Sequence, residues 1–291
     1  MGSVRGVRRN LTKFRKRGEV ETSTRQKMSE VIVITSGKGG VGKTTTTANI
    51  GAALALSGKK VVMIDTDIGL RNLDVIMGVE NRIVYDLVDV VENRCTYNKA
   101  LVRDKRFDGL FLLPAAQSRD KSAVTTTQMK HLVRQMEDSF DYILIDCPAG
   151  IEQGFENAVA AAKKAIVVAM PEVSSVRDAD RIIGLLEKHD IKNIKLVINK
   201  LRPKMVESGS MLGIEDMLDI LAIDLLGVVP DDEDIIVAAN TGEYVSNMDS
   251  SRAGQAYRNI AARLNGEEIE LMKLKQSFFE KLFSKNRRRA V

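Results

Sequence analysis

The chain predicts an α/β protein: a doubly wound, mostly parallel sheet with helices on both faces. Three observations carry this. Short, nearly unbroken apolar runs recur along the 291 residues. Stretches with helical spacing lie between most of them. A Gly-rich loop joins the first apolar run to the first helical stretch. Strands buried on both faces read as continuous Val/Ile/Leu runs, and alternation of such strands with helices implies parallel crossovers.

The elements follow in order. VIVIT (31–35) is the first strand, and the helical stretch 44–57 follows its loop. VVMID (61–65) and LFLL (110–113) come next, then a helix over 126–138. YILID (142–146) and AIVVA (165–169) precede a helix over 174–188. KLVIN (195–199) and LLGVV (225–229) complete seven strands, and a last helix covers 250–264. Gly266 closes the body. The expected division is a disordered basic extension over 1–27, a nucleotide-binding body over 28–266 and a basic amphipathic tail over 267–291.

Composition suits this plan. Apolar residues make up 44% of the chain, aromatics only 4%, and there is no Trp, so the core must be aliphatic. The net charge of +5 hides an asymmetry. Residues 1–27 have a net charge of +7 and residues 271–291 of +6, which leaves the intervening body at −8. Basic ends seek phosphate, whether of nucleic acid or of anionic lipid. Cys95 and Cys147 form no metal or disulfide pattern, so two reduced thiols in a cytoplasm-like compartment are expected. No apolar run is long enough to span a bilayer. The N-terminus has no apolar core, so it is not a secretory signal, although its few acids suit an organellar transit peptide. Met28 is an alternative start.

The stretch Gly37-Lys38-Gly39-Gly40-Val41-Gly42-Lys43-Thr44-Thr45 contains GxxxxGK[ST] between a predicted strand and a predicted helix. Glycines let backbone N–H groups turn inward around phosphate oxygens, and the helix N-terminus adds partial positive charge. Lys43 neutralises the β- and γ-phosphates, and Thr44 offers a hydroxyl to Mg²⁺. Acids near such a metal should sit at strand C-termini, where the ligand crevice of an open sheet lies. Asp146 ends YILID and Asp65 ends VVMID, and both are candidates for the metal site with Thr44. Asp67, two residues further on, is placed to orient the attacking water. Asn199-Lys200 follows the sixth strand, where a base could lie. The position that would carry a guanine-reading Asp is Arg202, which favours ATP. Asn199 could bond adenine, with the loop after Pro230 covering the base; a turn-forming role for Asn199 is the competing reading.

The tail ELMKLKQSFFEKLFSKNRRR places Leu271, Leu274, Phe278 and Leu282 near one helical face, widened by Phe279 and Phe283. Lys273, Lys275, Lys281 and Lys285 fall mostly on the flanks and back. A basic amphipathic helix with bulky apolar residues suits an anionic membrane surface. The competing reading is a helix docked on the body.

Lysine directly after the first glycine, Lys38, is the mark of the deviant Walker A motif. Together with Asp65-Thr66-Asp67-Ile68-Gly69-Leu70-Arg71-Asn72-Leu73-Asp74, Asp146-Cys147-Pro148-Ala149-Gly150-Ile151-Glu152 and Pro171–Arg181, it makes the chain resemble the MinD family of SIMIBI-type P-loop ATPases. The resemblance runs from about Met28 to the C-terminus. It implies a Mg²⁺-dependent ATPase that dimerises with ATP, its nucleotides facing each other and Lys38 reaching the partner's phosphates. Lys38, Lys43 and Asp67 would be catalytic. It further implies peripheral attachment to the cytoplasmic face of a membrane (or a plastid envelope, if 1–27 is a transit peptide). Recruitment of a MinC-like division inhibitor and stimulation by a MinE-like regulator are implied too. Arg71, Asn72, Asp178 and Asp180 resemble the partner-facing surface. Specific nucleic acid binding is not expected. The rivals are a ParA-like DNA-segregating ATPase, a FlhG-like flagellar-number ATPase and a scaffold without turnover.

Overall fold

Alternate residues of each central strand point to opposite faces of one sheet, and both faces are apolar. Val31 and Val33 enter one core, and Ile32 and Ile34 enter the other. That double burial is why these runs lack polar alternation. The protein is described here from a computed structural model over residues 29–272. The expected extension over 1–27 and the tail residues Leu274, Phe278, Phe279, Leu282 and Phe283 lie outside that range.

Eight strands form the sheet among the described residues. They are β1 (Glu30–Thr35), β2 (Val61–Asp65), β3 (Val102–Arg103), β4 (Leu110–Leu113), β5 (Tyr142–Asp146), β6 (Lys164–Ala169), β7 (Asn193–Leu201) and β8 (Asp224–Pro230). Their order is β3-β4-β2-β5-β1-β6-β7-β8. All pairings are parallel except β3 with β4. The seven expected strands are present within two residues at each end. The edge strand β3 was not expected, because two residues carry no periodic signal.

One face is covered by the helices Lys43–Leu56 and Arg252–Leu264, through residues such as Ala48, Leu54, Ala256, Tyr257 and Ile260. The other is covered by Thr126–Met136, Gln153–Ala161 and Val173–Lys188, through Met129, Leu132, Phe155, Val176 and Ile182. The helix Thr126–Met136 starts with a capping box, Thr125 and Gln128 each bonding the other's backbone N–H. The first helix is rich in Ala and Thr and buried around most of its circumference. Small residues let it lie close to the sheet: a Cβ on Gly51 would stand 2.5 Å from the Met63 sulfur.

Just beyond the last helix, Arg263 donates to the carbonyls of Ile269 and Glu270. Leu271 has no regular secondary structure, so it does not open the expected amphipathic helix. It is half-buried.

Candidate phosphate-binding site

The chain moves to one side of β1 for β2, β4 and β3, and to the other for β6, β7 and β8. The carboxyl end of β1 is therefore the topological switch point, where ligands bind in open α/β sheets. The Gly-rich loop occupies it. Gly40 and Gly42 have φ of 76° and 94°, in the left-handed region that glycine tolerates. Gly42 also faces Asn199 so closely that a Cβ would collide with the amide nitrogen. A Cβ on Gly37 would collide with the carbonyl of Asp178. Hence the helix that starts at Val173 packs its backbone directly against the loop.

Asn199 and Lys200 brace the loop from β7. The Asn199 amide donates to the Val41 carbonyl (2.8 Å) and its oxygen accepts the Lys200 N–H (2.9 Å). Lys200 Nζ donates to the Gly40 carbonyl (2.9 Å). Pro230 ends β8, buried, and the following Asp231 N–H donates to the Leu201 carbonyl (3.0 Å). Arg202 pairs with Asp231 at 2.6 Å. The Asn199 and Pro230 loops are thus tied to each other. The sequence suggested a base contact here, but the support to the loop was invisible to it, since it spans 158 residues.

Lys43 is buried at the start of the first helix, and Thr44 and Thr45 are half-buried beside it. Asp65 and Asp146 stand in register on the neighbouring strands β2 and β5. Burial pushes Asp65 up to about 7, with the Asp146 charge adding to it, while backbone N–H bonds from Asp67 and Leu73 oppose the rise. Burial likewise raises Asp146 to about 6, against the pull of the Thr44 hydroxyl and of Lys43. Thr47 also donates to Asp146 (2.8 Å), a contact that the TTTT run did not single out. Thr66 fixes the ends of the two strands by donating to the Asp146 carbonyl (2.6 Å).

Two buried carboxylates whose pKa values burial raises, with a threonine hydroxyl beside them, make an all-oxygen donor set suited to Mg²⁺. Among the described residues no group of three or more His, Cys, Asp or Glu is gathered for a metal. That fits an ion which keeps waters and takes phosphate oxygens as further ligands. Such an ion would neutralise charge on the phosphates.

Asp67 is half-buried, and its charge is felt at Asp65, Asp146 and Cys147. Asp67 thus lies within electrostatic reach of both strand-end carboxylates. Asp67 also lines a small cavity with Pro148, Ala149, Glu152 and Phe155.

Lys38 is half-buried and turned onto its own chain. Its Nζ donates to Ser174 Oγ (3.3 Å) and lies 3.9 Å from Glu172. An exposed pair of this kind is worth about 0–1 kcal/mol, so it holds Lys38 weakly. Asn72 and Asp180 are exposed as expected, and Asp178 is half-buried against Gly37. Arg71 departs from expectation. Its guanidinium is folded onto the fully buried Asp74 at 2.7 Å rather than displayed. Arg71 has φ of 42°, which puts its side chain back over the helix Leu73–Met77. Asp74, whose pKa is raised by burial, was not anticipated: an acid following a leucine looks like ordinary surface.

Comparison with known proteins agrees with this geometry. Residues 32–245 match the model of the CobQ/CobB/MinD/ParA nucleotide-binding domain family. The septum site-determining protein MinD of Synechocystis is 58% identical over 246 residues, covering 84% of this chain and 92% of that protein. Among solved structures, the MinC:MinD cell division complex of Aquifex aeolicus superposes with a TM-score of 0.79 at 52% identity, covering 84% of this chain and 99% of that one. MinD of Pyrococcus horikoshii, complexed with Mg-ADP, superposes with a TM-score of 0.74 at 29% identity, covering 82% and 96%.

Proposed function

This chain belongs to the MinD branch of the CobQ/CobB/MinD/ParA nucleotide-binding family, whose MinD members are ATPases that determine the septum site, and from that membership we propose how it works. It is an ATP-dependent dimerising switch that places the division septum by bringing a MinC-like inhibitor to a membrane. ATP with Mg²⁺ occupies the loop at the end of β1. Lys43 holds the β- and γ-phosphates, Thr44, Asp65 and Asp146 hold the ion, and Asp67 orients the lytic water. Gly37, Gly39, Gly40, Val41, Gly42 and Thr45 complete the cradle, while Asn199 and the loop after Pro230 face the base.

The observation that carries the dimer is the surface around the loop. Lys38 is half-buried and weakly held there. Three large apolar residues stand at the same sheet edge: Leu70 and Ile151 on the loops after β2 and β5 (67% and 41% exposed), and Val173 as the first residue of the helix after β6 (66%). Apolar groups around a polar cleft mark a contact surface. A second subunit placed there would cover them and present its own Lys38 to the phosphates. Asn72, Asp178 and Asp180 lie on segments bordering that surface and offer the polar rim to a MinC-like or MinE-like partner.

The basic tail supplies the membrane contact. No helix of the described residues is long and apolar enough to cross a bilayer. One interfacial helix binds modestly, and a dimer brings two. The test is sedimentation of wild type and Lys38→Ala with ATP and with ADP. Wild type should become a dimer with ATP alone, and Lys38→Ala should stay monomeric while still binding nucleotide. A wild-type monomer under both conditions would overturn the switch.

A further inference from the structure

The end of the sheet opposite the phosphate loop contains a knot of hydrogen bonds. The helix Arg252–Leu264 finishes there. Gly266, at φ 90°, reverses the chain, with its N–H donating to the Arg263 carbonyl (3.0 Å) and the Glu267 N–H to Ala262 (3.0 Å). This is the glycine-terminated helix end that satisfies the last carbonyls. Residues 267–272 follow.

Arg263 holds that segment. Its Nε donates to the Ile269 carbonyl (3.0 Å), Nη2 to Glu270 (2.9 Å) and Nη1 to Leu226 of β8 (2.9 Å). Only a planar fork with several donors can join carbonyls on two segments in this way. Gly227 beside it lets the helix lie close to β8, since a Cβ there would collide with Ile260. Tyr142, the first residue of β5, donates to the Leu264 carbonyl and to Asn265 Oδ1, both at 3.0 Å. Asn265 in turn reaches Ser57 (3.1 Å). Met272 ends the described chain packed against the apolar cores of both faces.

We propose that Arg263 is a positioning residue for membrane attachment: it straps residues 267–272 to the amino edge of the sheet, so that residues 273–291 start from a fixed point on the body. This rests on the reading of those residues as the membrane-binding segment. The physical reason is effective concentration. When one tail of a dimer is in lipid, the second inserts at a concentration that falls roughly as the −3/2 power of tether length. Freeing the strap adds the six residues 267–272 to each tether. A flexible segment of that length spans about 13 Å root-mean-square, enough to blur the launch point.

The experiment measures ATP-dependent binding to vesicles of mixed phosphatidylglycerol and phosphatidylcholine, using the full chain. Arg263→Ala should weaken it about three- to tenfold and speed amide exchange over 267–272. A second variant inserts six Gly/Ser residues between Met272 and Lys273. It leaves the knot and the fold intact, keeps basal ATP turnover, and should lose the same three- to tenfold. A purely structural Arg263 would lower the melting temperature while the insertion bound vesicles as wild type does; that result overturns the strap. Phe279→Glu separates the two readings. If it binds vesicles like wild type, the membrane reading fails and the strap fails with it. If it loses binding while the insertion does not, only the strap fails.

Discussion

At the carboxyl edge of the sheet, Asp65 and Asp146 stand in register in burial, which raises the pKa of both, and the Asp146 charge raises Asp65 further. Gly40 and Gly42 hold left-handed backbone, and Leu70, Ile151 and Val173 stand out in solvent. At the amino edge, Arg263, Tyr142 and Asn265 are bonded to named carbonyls and side chains. The same eight strands connect the two. One edge holds charge and apolar surface that a ligand or partner would relieve. The other ties the end of the last helix back to the strands.

The largest effect that could break this contrast lies in the carboxylates. Asp67→Ala should retain ATP binding and lose partner-stimulated hydrolysis by about 10²–10⁴-fold, because the attacking water loses its acceptor. Phosphate release with vesicles and an activator measures it, and wild-type turnover would remove Asp67 from the site.

Next comes the backbone. Gly42→Ala meets both a left-handed φ and the Asn199 amide, so it should cost about 1–3 kcal/mol and weaken ATP binding at least tenfold. Titration calorimetry with ATP and thermal unfolding would read the two parts separately.

The carboxylate pair also makes a pH prediction. Both folded pKa values, about 7 and about 6, lie above the ordinary 3.8. Between these limits the folded state binds more protons than the unfolded one, so nucleotide-free stability falls as pH rises from about 4 to about 7. Each group contributes a slope of at most about 1.4 kcal/mol per pH unit. Asp65→Asn should flatten that slope, seen in melting temperatures from pH 5 to 8 without nucleotide. An unchanged slope would show that the two acids are not in conflict.

The smallest effect sharpens the contrast. Glu172→Ala removes one of the exposed contacts that hold Lys38, and should change stability by less than about 1 kcal/mol. A larger loss in urea unfolding would show that Lys38 is anchored in its own subunit rather than available to another.

Local pattern made much of the fold legible. Seven strands announced themselves because burial on both faces demands unbroken apolar runs. The phosphate loop was legible because its glycines, lysine and threonine must be adjacent in the chain to wrap one phosphate. The nearness of Asp65, Asp67 and Asp146 could be inferred too, since strand ends in a parallel sheet share one edge. By contrast, β3 has two residues and no period. Arg71 looked available until Asp74, three positions on, proved fully buried.

The sequence by itself determined the strands, the loop that holds phosphate and the family, because each rests on residues close together in the chain. Tertiary structure alone decided the bracing of Val41 by Asn199, the approach of Asp178 to Gly37, and the strap that Arg263 draws over Ile269 and Glu270. The first two join residues more than 100 positions apart. The strap is short in sequence, yet it depends on Leu226 of β8 as its third hold. Such bonds have no local period, and they exist only once the sheet has brought its strands into register.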